Sequence, residues 1–135
     1  MTQRLCLLAT LGTATAALGA CAPAGEVPEE RGQAPVYQGV STILLDTDLV
    51  SLTVAMTGAK DGSQVEAYGR CAAAHYALEQ GFGFARQVRT IVRKDGRTWV
   101  GDAVYLLSAE LPEGLRIIDT AKAVAECEVL GIPTV

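Results

Sequence analysis

Asp95-Gly96 sits between two runs of alternating side chains, and no other pair of residues constrains the chain as much. A two-residue hairpin turn needs positive φ at one or both central positions, which Gly accepts freely and Asp more readily than most residues. With Asp95 and Gly96 as the central pair, Lys94 faces Arg97 and the register of both strands follows. Val92 then lies opposite Trp99, Val88 opposite Ala103 and Phe84 opposite Leu107, with Tyr105 on the same face. The other face pairs Arg89 with Asp102 and carries Ala85, Ile91, Val100, Val104 and Leu106. A one-residue slip would exchange the two faces, so an apolar face coinciding with a matched charge pair supports this register.

The flanking segments extend the pattern. Leu49–Thr57 alternates Val50, Leu52, Val54 and Met56 with Ser51, Thr53, Ala55 and Thr57, as a half-buried strand does. Thr42–Leu45 is expected to extend that strand, with Asp46 and Asp48 in a bulge or turn. Ser63 and Glu66 form a capping-box pattern opening a helix whose inner stripe is Ala67, Cys71, Ala74 and Leu78, widened by Tyr68, Ala72 and His75, and whose terminator is Gly81. Leu115–Ile118 reads as a short strand, followed by a helix from Thr120 to about Leu130, capped by Asp119, closed by Gly131 and facing inward through Ala121, Val124, Ala125 and Cys127. The expected fold is α+β, in two layers: a small antiparallel sheet, β-α-β-β-(β)-α, with both helices on one face.

At the amino terminus, Arg4 precedes an uncharged, mostly apolar run from Leu5 to Ala17. That run is shorter than the roughly 20 apolar residues needed to span a bilayer, and the layout is that of a secretory signal. It leads into Leu18-Gly19-Ala20-Cys21, which resembles the lipobox of bacterial lipoproteins. The resemblance implies that residues 1–20 are a signal peptide, that the Cys21 thiol receives a diacylglycerol and that the new amino group is acylated. Ala22, with no Asp at that position, implies sorting to the periplasmic face of the outer membrane, as in Gram-negative lipoproteins. In general layout the mature part also resembles the small uncharacterised lipoproteins of Gram-negative envelopes, a likeness that assigns no functional residues.

Residues 21–40 are then the lipid anchor and a tether rich in Ala, Gly, Pro and Glu, and residues 41–135 a single domain. Of the four cysteines, Cys6 leaves with the signal and Cys21 is lipidated, so Cys71 and Cys127 remain in an oxidising compartment. A disulfide between them would close a loop of roughly 57 residues, worth about 4 kcal/mol in chain entropy; the alternative is two buried thiols.

The formal charge of −4 becomes −5 once Arg4 is removed, which argues against a nucleic-acid partner. The basic residues concentrate in one stretch, Arg86, Arg89, Arg93, Lys94 and Arg97. This is either a contact for an anionic glycolipid or an acidic envelope protein, or charge that blunts a sheet edge. The apolar residues expected on the outer sheet face are either a partner surface or are covered by another segment of the chain. His75, the sole histidine, lies one helical turn beyond Cys71, a spacing that can serve a metal. Further ligands are lacking, and a histidine bonded to backbone, Tyr76 or Glu79 is the simpler expectation. Asp46 and Asp48 suit a turn better than a catalytic pair. Gly81-Phe82-Gly83-Phe84 follows a helix where a phosphate cradle would precede one.

These features lead to the expectation of a lipid-anchored periplasmic domain that binds or scaffolds envelope components, with no catalysis and no cofactor. The alternative is a small-ligand or glycan-binding module using the basic hairpin or a pocket near Tyr68, Tyr76 and Trp99. A hydrolase or metal-handling protein built around His75 ranks third.

Overall fold

The computed structural model describes residues 34–135; the expected signal peptide, Cys21 and tether residues 22–33 lie outside the described residues. Five strands, β1 (Val36–Leu44), β2 (Leu49–Thr57), β3 (Phe84–Asp95), β4 (Thr98–Ser108) and β5 (Ile117–Asp119), form one antiparallel sheet in the order β1-β2-β4-β3-β5. Helix α1 (Gly62–Glu79) connects β2 to β3, and α2 (Thr120–Leu130) follows β5. The architecture is mixed α+β. Helix α1 packs across β2, β4 and β3, and α2 packs against α1 and β5.

Strand β1 starts at Val36, inside the segment 21–40 expected to be tether. Its alternation is broken by a bulge between Tyr37 and Gly39, where Gly39 adopts φ +128°, and this hides the strand from a period-two reading. The helix anchors that bulge. The Tyr68 hydroxyl accepts the Gly39 N–H at 3.0 Å, and the Tyr37 and Tyr68 rings meet edge-to-face at 4.8 Å. Thr42–Leu44 belongs to β1 and does not extend β2, because the chain reverses at Asp46–Asp48. The Leu45 and Asp46 N–H groups both donate to the Leu49 carbonyl.

The β3–β4 hairpin forms, shifted from the expected register. Asp95 pairs with Thr98, so the central pair is Gly96-Arg97. Gly96 alone of these has positive φ, +65°, and so takes the first central position, as in a type II′ turn. Val92 therefore faces Gly101 instead of Trp99. A second irregularity, between Gln87 and Arg89, leaves Val88 outside the ladder and exchanges the faces beyond it. Ala85, expected on the outer face, is fully buried, whereas Val88, expected in the core, is 43% exposed.

The core consists of Val50, Leu52, Val54 and Met56 of β2, Ala103, Tyr105 and Leu107 of β4, and the inner face of α1. That inner face is Val65, Tyr68, Gly69, Cys71, Ala72, Ala73, Ala74 and Ala77; Tyr68, Cys71, Ala72 and Ala74 were expected on it, whereas Leu78 is 42% exposed. Small residues allow close approach. A Cβ on Gly101 would stand 2.8 Å from Val65 Cγ1, so the helix rests directly on the β4 backbone at that point. Helix α1 starts one residue before Ser63, with Asp61 as its cap accepting the Ser63 N–H at 2.9 Å. Asp119 caps α2 through the Lys122 N–H, and Gly131 closes it at φ +72°. In α2, Ala123 is buried with Cys127, whereas Ala121 and Ala125 are exposed.

Candidate binding surfaces

The Cys71 and Cys127 sulfurs lie 2.00 Å apart, at disulfide distance, with 6.0 Å between Cα atoms. Both cysteines are buried between α1 and α2. His75 Nε2 lies 3.2 Å from Glu79 Oε2, the next turn of α1, and no cluster of three or more metal-ligating side chains occurs among the described residues. His75 and Tyr76 line a cleft of about 220 Å³ between α1 and Val40 and Thr42 of β1. Of the three aromatic residues expected near a pocket, Tyr76 lines this cleft, Tyr68 is fully buried, and Trp99 lies beneath the Lys94 ammonium at 5.1 Å.

The basic stretch divides between the two faces of the sheet. Without an irregularity, Arg86 and Arg89 would project to opposite sides. The extra residue at Val88 brings Arg86, paired with Leu106, onto the same face as Arg89, paired with Val104, and Arg93, paired with Val100. This is the face opposite the helices. Arg89 lies 3.6 Å from Asp102, a diagonal neighbour instead of the expected direct partner, because Asp102 faces Ile91. Lys94 takes the other face over Trp99, and Arg97 occupies the turn. Ile91 and Ile43 are more than half exposed on the helix-free face, while Val104, between Ser51 and Arg89, is 6% exposed.

A second feature escaped the sequence reading. Ser63, Glu66, Ala67 and Arg70 of α1, Gln87 of β3 and Tyr105 of β4 line a notch of about 220 Å³. Glu66 and Arg70 are one turn apart and share a helix face. Arg70 pairs at 3.2 Å with Glu126 of α2. Beside the Asp61 cap, it is Gln64 that bonds back to the chain before the helix, accepting the Lys60 N–H at 2.6 Å, so Glu66 is not used in capping. Gln87 is held just before the bulge: its N–H donates to the carbonyl of Arg116, which has φ +59°, and its side-chain amide donates to Thr90 Oγ1 at 2.8 Å.

Tyr105 is 2% exposed, and its hydroxyl has no hydrogen-bond partner among the described residues. Burial pushes this phenol up to about 12, with Arg70 and Arg116 lowering it and Glu66 raising it. The one sequence signal for the notch was Glu66 and Arg70 at helical spacing, and that pattern is common on solvated helix faces.

A five-stranded antiparallel sheet with two helices, α1 across it and α2 against α1 and β5, and a polar notch at the helix–sheet boundary, makes a mixed α+β domain. Residues 37–131 match the YNQ4 C-terminal domain family, and the chain belongs to it. It is 35% identical over 85 residues to an uncharacterized 26.9 kDa protein in the nqo8 5′ region of Paracoccus denitrificans. That match covers 63% of this chain and 33% of the relative, so the chain spans about a third of the relative's length. No solved structure matches the chain significantly.

Proposed function

We propose that this is a lipid-anchored envelope domain, held at the periplasmic face of the outer membrane through Cys21, that binds or scaffolds another envelope component. The observation that carries the binding role is the helix-free sheet face. The bulge at Val88 aligns Arg86, Arg89 and Arg93 there beside exposed Ile91, within a chain of net charge −4. Basic side chains interleaved with apolar ones suit an acidic protein or an anionic glycolipid head group. The Cys71–Cys127 geometry supports residence in an oxidising compartment. No helix of the described residues is long and apolar enough to cross a membrane, so in this reading the lipid supplies the attachment.

The test is site-specific photo-crosslinking from position 91 in intact cells, with and without Arg89→Glu and Arg93→Glu. A discrete adduct that the charge reversals abolish is expected. An adduct pattern unchanged by them would overturn the assignment of this face. A second reading, a small-ligand or glycan-binding module, is favoured by the polar notch that buried Tyr105 lines.

A further inference from the structure

Resting on the small-ligand reading, we infer that the notch formed by Ser63, Glu66, Arg70, Gln87 and Tyr105 binds a neutral, hydroxyl-rich ligand, a single sugar ring of a glycan. Three observations converge on this. A buried hydroxyl with no protein partner at the wall of a notch is a hydrogen-bonding group that whatever occupies the notch completes. Tyr105 is 2% exposed and lines the notch, and two other lining residues, Arg70 and Glu66, act electrostatically on its phenol.

The lining also limits the ligand's charge. Glu66 only accepts hydrogen bonds and Arg70 only donates them, while Ser63, Gln87 and Tyr105 can do both. Glu66 and Arg70 carry opposite charges on one helix face, yet Arg70 pairs across to Glu126 instead. A simple anion would satisfy Arg70 and face Glu66, and a simple cation would do the reverse. A hydroxyl group donates to the carboxylate and accepts from the guanidinium at once, so a vicinal diol suits the pair without net charge. The Ala67 methyl offers an apolar contact for a ring face, and about 220 Å³ is room for one ring but little more.

The arrangement is also built to keep its shape. Gln87 is held at the bulge by the Arg116 carbonyl and Thr90, and Tyr105 stands buried in the central strand; the Arg70–Glu126 pair is largely exposed and adds little. Ordering costs on binding are correspondingly small.

The experiment is saturation-transfer NMR on the full chain in detergent micelles. Glucose and N-acetylglucosamine are the probes, with glycine and sulfate as charged controls. Saturation of at least one sugar is expected, weakened about tenfold or more by Glu66→Gln and by Arg70→Gln, each of which removes a charged hydrogen-bonding group. Tyr105→Phe should weaken it as well, with the circular dichroism spectrum unchanged. Neither sugar binding to a folded chain would overturn the inference. So would sugar binding that survives all three substitutions, or binding of glycine or sulfate alone. The photo-crosslinking at position 91 reads the opposite face, so failure of one result leaves the other standing.

Discussion

Gly101→Ala is the substitution whose effect is best fixed by the geometry. Gly101 sits mid-strand in β4, opposite Val92 and Val54, on the face beneath α1. A methyl group there would lie 2.8 Å from Val65 Cγ1 and 3.1 Å from Val54 Cγ2. Neither neighbour can yield cheaply. Both are fully buried, and a β-branched valine in a helix has one strongly preferred χ1 rotamer. Overpacking of this kind typically costs about 1–3 kcal/mol. For a domain of this size each kilocalorie lowers Tm by about 4–8 °C. Val65→Ala alone removes two methyl groups and leaves a void, at a cost of about 2–3 kcal/mol. Combined with Val65→Ala, the new methyl keeps only the 3.1 Å contact with Val54 Cγ2, so Gly101→Ala should cost less in the Val65→Ala background than in the parent. Urea unfolding followed by circular dichroism measures all four stabilities. The reasoning fails if Gly101→Ala lies within about 0.5 kcal/mol of the parent, or if the two single effects simply add to within that margin.

Other consequences are as direct. Cys127→Ser should lower stability by about 4 kcal/mol, measured as a fall in the urea midpoint that reductant reproduces in the parent protein. Tyr68→Phe removes the acceptor for the Gly39 N–H and should cost about 1 kcal/mol, with faster amide exchange confined to β1. Tyr105 titrates at about 12 in the folded chain and near 10 when unfolded, so the folded state holds its proton more tightly. Its contribution is complete below pH 10 and is lost as pH rises from 10 toward 12, a loss of about 2–3 kcal/mol. Urea midpoints at pH 9 and 11.5 should differ less in Tyr105→Phe than in the parent, and equal differences would contradict this titration.

What the sequence disclosed, and what it withheld, follows from how each signal is encoded. Strand β2 and helix α2 were legible because strict alternation and an Asp119-to-Gly131 capping frame are local patterns. Strand β1 was hidden because a bulge at Gly39 breaks alternation, and the bulge is held by Tyr68, 29 residues away. The β3–β4 hairpin was foreseen, but Asp-Gly does not say whether glycine takes the first or second central position. The irregularity at Val88 then exchanged Ala85 and Val88 between core and surface. Of the binding surfaces, Arg89 and Arg93 shared a face as alternation requires, whereas Arg86 joined them only through that bulge. The notch was illegible because its lining comes from three elements and its most informative member, Tyr105, reads in sequence as an ordinary core aromatic.

The central claim is an anchored, oxidised envelope domain, and mass spectrometry of the protein taken from its native membrane, with and without reductant, tests it most directly. A diacylated Cys21 amino terminus together with a reductant-sensitive Cys71–Cys127 peptide is the predicted result. An unmodified Cys21 with free thiols at Cys71 and Cys127 would contradict it.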